Sequence, residues 1–173
     1  MNSNARCLVV AIPILLGSAG DVAAQSCHVT MAQLKKMNVC ELDRLFEHAA
    51  PGGIPHGFAR GQVLLMVDAK FPKMRARFAS SAWKGKHFED DGEFINQWPG
   101  FQALRGKSQL GTSWHDEKPC WVLDYPPGTP LFGNTRDEMR QIGCGLFLAR
   151  LYETCPCPRF RGYFAIQVCA ACP

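Results

Sequence analysis

Apolar positions along the chain follow two different spacings. Between residues 30 and 49 the spacing is helical: after Asn38, the residues Leu42, Leu45, Phe46 and Ala49 recur on one face. Thr30-Met-Ala-Gln33 and Asn38-Val-Cys-Glu41 both fit the capping-box pattern, in which a side-chain oxygen takes the N3 backbone N–H and the N3 side chain answers. Helices are therefore predicted within 30–49. The stretch Ala50-Pro-Gly-Gly-Ile-Pro-His-Gly57 stops them, because its prolines and glycines do not continue a helix. From Phe58 the period falls to two. Strands are predicted at 58–67, 83–89, 93–98, 101–110, 119–125, 136–142, 146–153 and 160–168. One short helix is predicted among them, begun by Pro72 and carrying Met74 and Phe78 on one side. Gly143-Cys144-Gly145 suits a tight turn, Cys155-Pro-Cys-Pro158 a second, and Pro126–Thr135 is the longest connection. Short strands in this number, without βα alternation, predict a mainly β protein. The expectation is an eight-strand antiparallel barrel with N-terminal helices, and a flattened sandwich is the alternative.

The first residues break this pattern. Met1–Arg6 carries one Arg and no acid, Cys7–Leu16 is apolar, and Val22-Ala23-Ala24-Gln25 is small and polar. That order predicts a secretory signal cleaved after Ala24, since an apolar run of about ten residues is too short to span a bilayer. The expected domains are a signal at 1–24 and a single barrel domain at 25–173. That domain carries the helical segment 30–49 and a Cys-rich tail at 155–173. The expected location is periplasmic or secreted, with no membrane span after signal removal.

Cysteine usage agrees with export. Without Cys7, the chain keeps Cys27, Cys40, Cys120, Cys144, Cys155, Cys157, Cys169 and Cys172. The number is even and an oxidising compartment favours disulfides, with Cys27–Cys40 closing a local loop. Two other readings of the tail stay open: Cys155-x-Cys157 with Cys169-x-x-Cys172 also has the donor set of a tetrahedral zinc site, or of a redox pair.

Charge narrows the partners. The chain has 173 residues, 47% hydrophobic and 20% charged, with a net charge of +4. That is globular composition, and too weakly basic for a nucleic-acid polymer as partner. Phosphate-binding glycine loops, HExxH, EF-hand and GxSxG motifs are all missing, and Gly106-Lys-Ser-Gln-Leu110 lacks the last glycine of a nucleophile elbow. No cofactor is expected, and oligomeric state is not readable.

Three segments resemble a bacterial family of uncharacterised proteins with lipocalin-like, or calycin, barrels. They are Trp83-Lys-Gly-Lys86, Ser113-Trp-His-Asp-Glu-Lys-Pro119 with Leu123-Asp-Tyr125, and Arg136-Asp-Glu-Met-Arg140 with Gly145-Leu146. The resemblance covers residues 41–168 and implies a calycin-like barrel, without an activity to carry over. The chain departs from lipocalins proper in having Ser81, not Gly, two positions before Trp83.

The strand around 137 carries the densest chemistry. With a period of two, Arg136, Glu138, Arg140 and Ile142 share one face, and Asp137, Met139 and Gln141 share the other. Facing inward, Arg136 and Arg140 would bind an anion through their planar forks, with Glu138 and Asp124 holding them in place. Facing outward, they would form cross-strand ion pairs. Phe101, Trp121, Leu146 and Leu148 lie on strands suited to an apolar wall. Lys84 and Lys86 alternate with Trp83 and Gly85 and are expected on a solvated face. His115, beside Asp116 and Glu117, is either a general acid/base or part of a polar turn. The functional expectation is a non-catalytic exported binder of a small, partly apolar ligand with an acidic group, sited at Arg136, Glu138, Arg140, Asp124 and Trp121. The alternatives are a hydrolase or isomerase using His115, and a disulfide-stabilised interaction module.

Overall fold

The computed structural model describes residues 29–67, 79–130 and 132–168. The expected signal, the helix begun by Pro72, and Cys27, Cys169 and Cys172 lie outside the described residues.

Among the described residues two helices come first, α1 (Met31–Leu34) and α2 (Val39–His48). Both begin with the expected capping boxes, at Thr30/Gln33 and Asn38/Glu41. Eight strands follow: β1 (Gly57–Met66), β2 (Gly85–Phe88), β3 (Glu93–Trp98), β4 (Phe101–Thr112), β5 (Pro119–Asp124), β6 (Thr135–Gly143), β7 (Leu146–Glu153) and β8 (Arg159–Val168). Each pairs antiparallel with the next, and β8 returns to β1 through pairs such as Gln62↔Ala165 and Val63↔Phe164, closing the barrel. Closure removes the free strand edges that an open sheet would expose. Among the described residues, no helix is long and apolar enough to cross a membrane.

The alternation of side chains across the sheet builds two cores. Inside the barrel, Phe94, Leu123, Met139, Phe147, Ala149 and Ile166 pack together. Outside it, Leu42 and Phe46 of α2 and Leu34 of α1 cover Val122, Ile142 and Leu148. The sheet is thus buried on both faces where the helices lie. That arrangement is why β6 and β7 are buried almost continuously.

Two expectations are corrected here. Met139 and Asp137 take the inward face of β6, so Arg136, Glu138 and Arg140 point away from the lumen. They are nevertheless not solvated pairs: Glu138 and Arg140 are fully buried under α2 and the 113–118 turn. The second correction concerns the cysteines. Cys40, Cys120, Cys155 and Cys157 carry free thiols, so the Cys27–Cys40 loop is not closed. Cys144 is disulfide-bonded. The zinc and redox readings of the tail rest on Cys169 and Cys172, which lie outside the described residues.

Candidate functional site

Beside the packed inner core the lumen holds a chamber of about 240 Å³. Its walls come from Val63 and Met66 of β1, Trp83 before β2, Phe132 of the long connection, Leu151 of β7 and Phe164 of β8. Trp83 reaches its place because β1 is bare at Gly61, where a Cβ would sit 2.4 Å from the indole ring. The ring then packs edge-on against Phe164 at 5.3 Å between centroids. Toward the mouth, Trp98 stacks on the exposed Phe101 and meets Phe132 edge-on.

Polar side chains meet inside this apolar setting. Lys86 is 2% exposed, and its Nζ donates to Asn96 Oδ1 at 3.1 Å and Tyr125 Oη at 2.6 Å. Its third partner is Asp137 Oδ2 at 3.3 Å. The ammonium also lies 4.4–5.8 Å from the ring centroids of Phe94, Tyr125, Phe164 and Trp83. Ring faces are electron-rich and offset part of the lost hydration. Asn96 is saturated: Oδ1 also accepts from Trp83 Nε1, and Nδ2 donates to Leu104 O and Tyr125 Oη. Burial pushes the Lys86 pKa down, with Asp137 opposing, and pushes the Asp137 pKa up, with Lys86 opposing. Burial also raises the Tyr125 phenol well above its ordinary value.

Two atoms in this setting are unsatisfied. Among the described residues Asp137 Oδ1 and Trp98 Nε1 are buried without a hydrogen-bond partner, and both residues line the chamber. Buried polar groups are nearly always paired, and those that are not mark places where a partner belongs.

The charged residues singled out from sequence lie elsewhere, grouped against the outer face. Arg140 spends all its donors: Nε on Pro119 O, Nη1 on Phe46 O and Asp116 Oδ2, Nη2 on Asp116 Oδ1 and Lys118 O. None is left for a ligand. Its bidentate bond holds the Asp116 carboxyl down at about 2. Glu138 accepts from Ser113 Oγ, Trp114 N and Arg136 Nε, while Arg136 also donates to Thr112 O and stacks on Trp114. Asp124 sits opposite Arg136 on β5, but the guanidinium takes Glu138 instead. His115 contacts α2, with Nε2 2.8 Å from Glu47 Oε1 and 3.8 Å from Asp43 Oδ1. Arg150 completes this layer with Asp43, Tyr152 and Tyr163. Leu146 and Leu148 belong to the same outer core, whereas Trp121 packs against the inner one and donates to Gly52 O. Phe101 supplies the mouth rather than a wall.

Sequence reasoning missed Lys86, Asn96 and Asp137 as a group. The expected solvated face at Lys84 and Lys86 is half right: Lys84 is exposed and Lys86 is not. A usable signal was present, since Lys86 shares its strand face with Phe88, and Asp137 shares its own with Met139.

No protein-family model matches the chain, and no curated protein matches it. Among solved structures, the crystal structure of a protein from Thermomonospora curvata matches with a TM-score of 0.52 and 15% identity, over 76% of this chain and 87% of that one. At that identity the likeness shows the fold alone.

Proposed function

We propose that this protein is a non-catalytic binder of a small, largely apolar ligand, held in the barrel chamber in the calycin manner. The observation that carries the reading is a chamber in the lumen with largely apolar walls around a buried Lys86–Asp137 pair. An ion pair in a low-dielectric interior is often no better for stability than apolar residues of the same volume. Its presence beside a cavity therefore favours a site over a packing device. The ligand is small: a cavity of ~150 Å³ takes a benzene ring, so 240 Å³ suits a molecule of about ten non-hydrogen atoms. The acidic group expected from Arg136 and Arg140 loses its motive, because those forks are occupied outside the barrel. Export completes the proposal, on the charged–apolar–small order of residues 1–24.

The test is native mass spectrometry of protein purified from its own compartment, followed by extraction and identification of what travels with it. A bound species of the stated size, lost when Leu151→Trp fills the chamber in a folded variant, supports the reading. Ligand-free protein whose melting temperature moves with no small apolar compound would overturn it. The same spectrum reads the mass of the chain, and retained residues 1–24 would overturn the export proposal.

A further inference from the structure

Resting on the binding function proposed above, we infer that the ligand is neutral and carries a hydroxyl that donates to Asp137 Oδ1, with a hydrogen-bond acceptor farther out for Trp98 Nε1. The two orphan atoms have opposite roles: a carboxylate oxygen accepts and an indole N–H donates. A partner that satisfies both must therefore bring a donor at one point and an acceptor at another.

Charge narrows the choice. The Lys86 ammonium already has three acceptors, Asn96 Oδ1, Tyr125 Oη and Asp137 Oδ2, which match its three N–H groups. It has no hydrogen left for an incoming anion. A carboxylate head would also sit beside Asp137 and repel it. An ammonium head would pair with Asp137 but leave the buried group with a net positive charge. The Lys86–Asp137 pair is neutral as it stands, so a charged head of either sign adds an uncompensated charge to an apolar setting. A hydroxyl adds none and supplies the missing donor. Trp98 lies toward the mouth, against Phe101 and Phe132, so the acceptor belongs on the outer part of the molecule. The class is a compact hydroxylated ring or short chain bearing a carbonyl or ether oxygen.

A matched set of probes tests this on the unmodified protein by calorimetric titration at pH 6: ethylbenzene, 4-ethylphenol, 4-ethylbenzoate and 4-hydroxyacetophenone. The phenol is expected to bind roughly tenfold or more tighter than ethylbenzene and 4-ethylbenzoate, because a site built around a buried polar group rejects analogues that leave it unpaired. The hydroxyketone is expected to bind tighter still and to shift the Trp98 indole N–H resonance. Trp98→Phe should bring it back to the level of 4-ethylphenol. Equal affinity for ethylbenzene and 4-ethylphenol, or tightest binding of the benzoate, would overturn the head-group assignment while leaving the chamber as a binding site. Failure of all four probes would overturn the binding function itself. Loss of the Trp98 effect alone would overturn the acceptor half.

Discussion

Arg140 and Lys86 are both buried cations, and they escape the cost of burial by different routes. Arg140 fixes every donor on a carboxylate or a backbone carbonyl, so it is bound to the fold. Lys86 sits among aromatic rings with a carboxylate that keeps one oxygen unpaired, so its surroundings retain a free valence. Cys120 shows a third effect of burial. Enclosed in the outer core, its thiol is pushed up to about 12, chiefly by desolvation and next by Glu138. The thiolate is the reactive form, so Cys120 should resist an alkylating reagent at pH 8 while the exposed Cys40, Cys155 and Cys157 react. Peptide mapping after native and denatured labelling checks this, and native labelling of Cys120 would refute it. The Lys86 site was hidden from the sequence for a local reason. Simple alternation puts Trp83 and Lys86 on opposite faces and Lys84 with Lys86. Gly85 breaks that alternation with φ +141°, where a Cβ would lie 2.0 Å from Ala59 O. Trp83 and Lys86 therefore both reach the lumen, and Lys84 is left outside.

Helix α2 is attached to the barrel by an apolar face and a charged clamp. Leu42 and Phe46 supply the first; the second is Arg140, which donates to Phe46 O in the last turn of the helix and to Asp116 on the 113–118 turn. Arg140→Met should cost about 3 kcal/mol, because Asp116 and three backbone carbonyls lose their donor. Urea unfolding measures the loss, and weakened Trp114 fluorescence anisotropy would report the loosened turn. Acid should act on the same clamp. The Asp116 carboxyl titrates at about 2 in the folded chain against 3.8 free, so it binds protons more readily unfolded. Its contribution is complete above about pH 4 and is lost as pH falls toward 2. After solvent screening it is worth about 1 kcal/mol, and the Arg140→Met variant should lack that part of the acid transition. At this scale the sequence was readable. The capping residues and the period-two runs place every described strand within two residues of its observed ends. What periodicity does not contain is which side of a strand faces the axis. Alternation separates the row Arg136-Glu138-Arg140 from the row Asp137-Met139 without saying which one faces the lumen, and on β6 both faces are buried. The choice was made by α2 and the 113–118 turn, which come together only in three dimensions.

For the molecule as a whole, barrel closure creates an interior that does not need charge to be stable. The inner core around Phe94, Met139, Phe147 and Ile166 is apolar. Lys86 and Asp137 interrupt that pattern only beside the chamber. If the pair serves ligand selection, a mutant cycle should separate its two roles. Lys86→Met alone strands the Asp137 carboxylate among aromatic rings and should cost about 3–5 kcal/mol, part of it recovered at low pH as the carboxyl protonates. The sign follows from burial, which already holds the Asp137 pKa up even with Lys86 present; without the ammonium it rises further. The double variant Lys86→Met with Asp137→Leu removes both charges and should return to within about 1 kcal/mol of the parent, or exceed it. Chemical denaturation of the four proteins of the cycle gives these values directly. The double variant should still take up ethylbenzene, since the walls of Val63, Leu151 and Phe164 are intact, but should no longer prefer 4-ethylphenol. A double variant as unstable as the single would instead make the pair a requirement of the fold. Retained preference for the phenol would place the hydroxyl somewhere other than Asp137.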